Sequence, residues 1–426
     1  MPWTREQVLA VAPDESSVKA GQKLATPGPW SATGHTEALL WGSCQGSGKK
    51  PYQVSIDLTG PAYKCSCPSR KFPCKHAIAL LLLWSTGAIG DGEVAGFAAE
   101  WADDRASRTE RAATTAASAD PAAAQARRAE RIAKMDAGVA DFAQWLTDLA
   151  RAGLADALRR APDWWESTAA RLVDAQLPGL AERVRDAGGE VAQGLEASDL
   201  LERVGVWWLL VQAWRRRETL DAARTADLDA AVGLPTAAAD VRAGETRTQN
   251  WTVLGAHRDL RGRLEQQRTW LRGDDGTVIV LLDTAGPGQS LGVPQLTGSR
   301  VHAEVALYPG TAPRRALFAT PPEPVGTSDR FGPGGTVDDA LAEAAAALAA
   351  VPWRDRHPVT VNDVAVADDA EHLLDAGGGA LRLTDDTPTP LLLAATGGRA
   401  AQVFGELDAG RLRVLAVAAD GEVTAL

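Results

Sequence analysis

Two stretches of the chain place apolar residues at three- to four-residue spacing. Val139, Phe142, Trp145, Leu146 and Leu149 form one set, and Leu200, Leu201, Val204, Trp208 and Val211 form another. Each set predicts a helix with one apolar stripe, so residues 131–245 read as a helical region, punctuated by Pro178 and Gly188-Gly189. Further on the period shortens. Val278–Asp283, Val301–Tyr308, Ala316–Thr320 and Arg411–Ala418 are strand candidates separated by Gly and Pro clusters, and Val337–Ala350 reads as one helix. Residues 246–426 are therefore expected to form a mixed, strand-rich domain. At the other end, Glu37–Cys44 and Tyr52–Leu58 predict two strands joined by the turn-rich Gln45–Pro51, and His76–Trp84 predicts a short apolar helix. Residues 87–130, rich in Gly, Ala, Asp and Arg, read as an Ala-rich linker or a weakly held helix. No internal repeat of fixed period is visible.

A chain of 426 residues is long enough for two or three domains. Its longest strongly apolar run, Ala77–Trp84, falls far short of the roughly 20 residues a spanning helix needs. No secretory pattern opens the sequence, so a cytoplasmic protein without a membrane segment is expected. The net charge of −11 is unevenly spread. Residues 1–84 hold nine Lys/Arg and five Asp/Glu, a balance of +4, which leaves −15 for the rest. A small basic head can approach nucleic acid or an acidic protein, whereas the acidic body would repel a phosphate backbone.

Four cysteines make no disulfide framework, but three of them crowd together with a histidine as Cys65-x-Cys67-x6-Cys74-x-His76. Residues two apart on extended chain point to the same side, so Cys65 and Cys67 can grip one ion. Pro68 and Pro73 stiffen the turn back, and Cys74 and His76 sit where the helix begins. A helix N-terminus favours thiolate over thiol. Three thiolates and one imidazole fill the tetrahedron Zn²⁺ prefers and leave no position for water, which marks a structural rather than a catalytic ion. Lys64, Arg70, Lys71 and Lys75 surround the resulting charge of −1, and Lys49 and Lys50 lie in the preceding turn. These six are the candidate contacts to a partner or to nucleic acid. Cys44 is an alternative ligand, more simply read as a buried strand cysteine.

These residues, with the flanking Trp41-Gly42-Ser43-Cys44-Gln45-Gly46-Ser47-Gly48 and Cys67-Pro68-Ser69-Arg70-Lys71-Phe72-Pro73-Cys74-Lys75-His76, resemble the bacterial SWIM zinc finger proteins. The resemblance is specific over residues 1–86 and general beyond. It implies a strand–strand–helix finger with one structural Zn²⁺ and a role in binding DNA or protein. It also implies, by gene association, a protein partner such as an AAA+ ATPase or a von Willebrand A-type protein. The expected architecture is thus α+β and multidomain. It comprises a small N-terminal ββα zinc finger (1–86), the linker (87–130), a helical domain (131–245) and a mixed C-terminal domain (246–426).

Other motifs weigh less. Leu281-Leu282-Asp283-Thr284-Ala285-Gly286 has the outline of a nucleotide switch, but no Gly-x4-Gly-Lys-Ser/Thr accompanies it. Gly42-Ser43-Cys44-Gln45-Gly46 has the outline of a nucleophile elbow, but turn residues follow it instead of a helix. Asp338-Asp339, Asp368-Asp369 and Asp385-Asp386 suit helix starts and turns. Trp207–Arg217 reads as a buried helix ending in cations, with an aromatic-basic contact surface as the alternative. His35, His257, His302, His357 and His372 are scattered and read as surface or satisfied core residues. The expectation is a non-enzymatic zinc-binding adaptor, with DNA binding through the basic face as the alternative. An enzyme hidden in residues 246–426 would show itself as a pocket lined by convergent polar groups.

Overall fold

A computed structural model describes residues 15–46, 50–58, 62–69, 73–103, 121–261, 264–286 and 295–426, together with Arg5, Val8 and Leu291. The chain divides into two compact units. The first holds residues 1–123, 258–267 and 283–294, and the second holds the remainder.

The first unit opens with helix α1 (Glu15–Leu24) and a four-stranded antiparallel sheet in chain order. Its strands are β1 (Trp30–His35), β2 (Leu39–Cys44), β3 (Tyr52–Asp57) and β4 (Ala62–Cys65), followed by helix α2 (Lys75–Ser85). The expected two-strand finger is therefore a four-strand one. Trp30–His35 has Ser31, Ala32 and Thr33 exposed and only Gly34 buried, so no apolar alternation announced it. Helix α2 is buried all round from His76 to Trp84, which is the pattern of an element packed on every side. Its apolar faces meet Leu40, Val54 and Ile56 of the sheet. Helix α1 lies close against α2, for a Cβ at Gly21 would stand 2.6 Å from Ile78. Residues 94–102 also pack here. Ala98 is fully buried in a cluster with Leu39 and Trp41, so this part of the expected linker belongs to the folded unit.

In the second unit, α3 (Pro121–Ala152), α4 (Leu154–Ala157), α5 (Pro162–Asp174), α6 (Pro178–Ala192), α7 (Ala197–Arg215), α8 (Ala222–Val232) and α9 (Ala238–Arg242) come first. Helix α3 begins ten residues before the boundary expected at 130/131. Val139, Phe142, Leu146 and Leu149 are buried as their spacing predicts. The stripe on α7 differs from expectation: Leu201 and Trp208 are 59% and 40% exposed, while Leu200, Trp207, Leu210, Val211 and Trp214 face inward. Proline starts α5 and α6 at their first turns, as expected of Pro178. Gly188-Gly189, read as a break, lies inside α6. The α5–α6 contact requires the first glycine, because a Cβ at Gly188 would stand 2.5 Å from Trp165 Cβ. Asp221 caps α8 by accepting from the Arg224 N–H at 2.8 Å, and Gly233 closes it at φ 94°.

The strand-rich part contains two five-stranded closed barrels with one shared connectivity. In the first, β5 (Thr246–Arg261), β6 (Leu264–Gly273), β7 (Val278–Ala285), β9 (Arg314–Phe318) and β8 (Ser299–Leu307) are neighbours in that order. The parallel β7–β9 pair and the antiparallel β8–β9 pair close the ring, and β10 (Glu323–Thr327) adds to β8. After α10 (Val337–Ala350) the pattern recurs with β11 (His357–Val366), β12 (His372–Asp375), β13 (Ala380–Leu383), β15 (Arg411–Ala419) and β14 (Ala401–Asp408). Here the parallel β13–β15 pair closes the ring, α11 (Thr389–Thr396) precedes β14, and β16 (Glu422–Ala425) adds to β15. Closure removes the sheet edges that would otherwise recruit other chains. The sequence shows no repeat because the two barrels share topology and not residues. Thr336 and Asp339 form a capping box at the start of α10. Asp369 accepts from the Glu371 N–H, and Asp386 pairs with Arg413, so these acidic residues serve turns and ion pairs.

Candidate metal centre

Strand β4 delivers Cys65 at its last residue, and the chain runs on through Cys67 before turning back to α2. Cys74 occupies the N-cap position of α2 in extended conformation, and His76 lies in the helix's first turn. The four ligand atoms, three sulfurs and one ring nitrogen, all lie within 4.8 Å of one another. His76 Nδ1 stands 3.7 Å from Cys65 Sγ and 4.0 Å from Cys74 Sγ. A tetrahedron with Zn–S of about 2.3 Å and Zn–N of about 2.0 Å has edges of roughly 3.5–3.8 Å, so the cluster needs little adjustment to close on one ion. Among the described residues no other group of three or more His, Cys, Asp or Glu gathers in this way. Cys44 is fully buried in β2 and stands outside the four, as a strand cysteine does.

The surroundings suit a thiolate-bound cation. Cys74 and His76 are 1% and 4% exposed, while Cys65 and Cys67 are half-buried at the edge of the same apolar core. Cys65 shares its proton with Cys74, which holds the Cys74 thiol far below its usual range despite burial. The His76 ring and the Ala77 backbone N–H act in the same direction. The same sharing, with burial, pushes the Cys65 thiol up, and burial pushes up Cys67. Backbone N–H groups of Cys67 and Ser69 point at the sulfurs of Cys65 and Cys67 and favour their charged forms. The Tyr52 ring lies over the His76 imidazole, with centroids 4.9 Å apart, and holds the ring plane.

The contact residues expected around the site divide into two groups. Lys50, Lys64 and Lys75 are exposed. Lys49, Arg70 and Lys71 lie outside the described residues. On α7, Trp207 and Trp214 are buried. Trp214 Nε1 donates to Asp136 at 2.8 Å, and Arg217 stacks on the Trp214 ring at 4.8 Å while pairing with Asp136. The aromatic-basic run therefore closes the helix bundle, and only Trp208 of its tryptophans is presented outward.

A closed Cys₃His centre at the junction of a small sheet and a buried helix defines a structural zinc module. Comparison with family models agrees. Residues 52–84 match the SWIM zinc finger and residues 130–232 match the SWIM-associated four-helix bundle domain, so the chain carries both elements. No curated protein and no solved structure matches the chain. Cys65, Cys67, Cys74 and His76 are positioned to bind one zinc ion. The ion would supply folding energy on the order of 10 kcal/mol to the unit that carries it.

Proposed function

We propose that the chain is a non-enzymatic, zinc-stabilised adaptor in the cytoplasm whose finger contacts an acidic surface on a partner protein. The observation that carries this reading is the exposure of Lys50, Lys64 and Lys75 beside a centre whose coordination is complete. Such a centre holds shape and leaves recognition to the side chains around it. The excess of 15 negative charges outside residues 1–84 weighs against the alternative, DNA binding by the same face. No described helix is long and apolar enough to cross a membrane, in keeping with a partner met in solution. By association with the SWIM finger, an AAA+ ATPase or a von Willebrand A-type protein is the partner class to test first.

The experiment uses the zinc-loaded full chain in two parallel assays. One is a mobility shift with duplex DNA at low and at physiological salt. The other is capture of purified partner candidates by wild type and by a Lys50→Glu/Lys64→Glu/Lys75→Glu variant. The adaptor reading expects no DNA shift even at low salt, and capture that the triple variant loses. A DNA shift that weakens steeply with salt and disappears in the variant would establish nucleic-acid binding instead.

A further inference from the structure

The second unit contains a pocket of about 820 Å³ between its first barrel, helix α10 and strand β11. That volume lies within the range of small-molecule sites. Its walls are mostly apolar, with Ile279, Ala344, Val359 and Phe404 among them, and two polar side chains in it are incompletely satisfied.

The first is His357. It is 5% exposed, and its Nε2 has no hydrogen-bond partner among the described residues. The ring's other nitrogen bonds the Arg354 carbonyl, which fixes that nitrogen as the N–H and leaves Nε2 as a bare lone pair. Burial and the neighbouring Arg354 charge hold the imidazole below its ordinary value, against the opposing pull of the Asp355 charge and the Arg354 carbonyl. A buried acceptor without a donor is costly and calls for an explanation. The sequence reading of His357 as a satisfied core residue is thereby corrected.

The second is Arg272. Its guanidinium donates to the Pro333 carbonyl at 2.6 Å and to Thr360 Oγ1 at 3.2 Å, yet no described carboxylate comes within 4 Å. Glu343 acts on it only at longer range. The other two arginines of the pocket are neutralised, Arg247 by Asp275 at 3.0 Å and Arg314 by Glu245 at 2.6 Å. Asp339 is engaged in the capping box of α10. Besides the exposed Glu343, one cation and one buried acceptor thus remain open in the cavity.

We propose that this pocket binds a small organic acid carrying a hydroxyl group. Its carboxylate pairs with Arg272, its hydroxyl donates to His357 Nε2, and its apolar body fills the space toward Phe404. Burying that hydroxyl satisfies the lone pair, and the carboxylate gives Arg272 the partner that Arg247 and Arg314 already have. The inference is independent of the adaptor reading, since none of these residues belongs to the finger.

The test is calorimetric titration of the zinc-loaded full chain with 4-hydroxybenzoate, benzoate and 4-hydroxybenzyl alcohol. In parallel, the imidazole nitrogens are followed by NMR in chain labelled with ¹⁵N-histidine. We expect saturable binding of 4-hydroxybenzoate with Kd of about 1 mM or below. Removing either the acid or the hydroxyl should weaken it by about tenfold, as loss of a buried hydrogen bond or ion pair does. Arg272→Gln, checked for an unchanged melting profile, should abolish the preference for the acid. Arg300→Gln, an exposed ion-pair residue, should leave it intact and serves as the second variant. The bound hydroxyl should shift one acceptor-type imidazole nitrogen. Absence of saturable binding for all three probes, equal binding by Arg272→Gln, or unmoved histidine resonances at saturation would overturn the proposal.

Discussion

Glu406 is completely buried in the second unit and is surrounded by cations. Arg268 clasps it through two bonds of 2.8 and 3.1 Å, Trp270 Nε1 donates at 2.8 Å, and Arg356 and Arg413 approach to 3.5 and 3.8 Å. Burial alone would raise its carboxyl. The hydrogen bond and charge of Arg268 and the charge of Arg356 outweigh that cost, so the carboxyl sits below its ordinary value. Its folded value being depressed, its contribution to stability is present above about pH 4.3, the unfolded value for Glu, and is lost as pH falls through the lower folded value. Glu406→Gln leaves three guanidiniums around a neutral group and is expected to cost about 3–5 kcal/mol at pH 7. In denaturant melts the gap between wild type and variant should narrow below about pH 4. A gap independent of pH would show that the loss is one of shape and not of charge. Nothing in the sequence pointed to Glu406, because its hydrogen-bond donors Arg268 and Trp270 are 138 and 136 residues away. Cys65, Cys67, Cys74 and His76 were legible for the opposite reason. All four ligands lie within twelve residues, and their chemistry restricts their spacing.

At the level of elements, periodicity located the helices better than it oriented them. On α7, Leu201 and Leu200 are equally apolar, and Trp208 equals Trp207, so the pattern fits two overlapping stripes. Packing against α3 and its neighbours, with Phe142 and Trp207 rings 6.2 Å apart, selects one. Glycine was misread for a related reason. In sequence, Gly188-Gly189 looks like a helix break, but the two residues do different things. Gly188 faces Trp165 at a distance that admits no side chain, whereas nothing lies within 4 Å of a Cβ at Gly189. Gly188→Ala should therefore force α5 and α6 apart at a cost of about 1–3 kcal/mol, as overpacking does. Gly189→Ala should stabilise the same helix by up to about 1 kcal/mol, since alanine restricts the unfolded chain and favours the helix. Thermal unfolding of the two variants side by side checks this. Equal effects would mean that the helix pair relaxes and that the close contact sets no constraint.

The whole molecule divides its sources of stability as it divides its contacts. The first unit's main core cluster is built on α2 and the sheet, beside a smaller one around Trp41 and Ala98, and two zinc ligands are buried at the main cluster, with Cys74 itself a member. The second unit has separate clusters in the helix bundle and in the barrels and contains none of the four metal ligands. Metal-binding energy is folding energy only for the part that holds the ion, because the ion binds the folded ligand set and not the unfolded chain. Calorimetry of the zinc-loaded chain should then show two transitions. Chelation should lower the one belonging to the first unit and leave the other in place. The assignment can be read from tryptophan variants in each core: Trp41→Phe marks the first unit and Trp251→Phe the second, both being buried side chains. A common transition that moves as one on chelation would mean that the second unit depends on the first for its fold. Two transitions with neither moving would mean that the sheet and α2 hold Cys65, Cys67, Cys74 and His76 together without an ion. The second result would remove the physical basis for regarding the cluster as a structural metal centre.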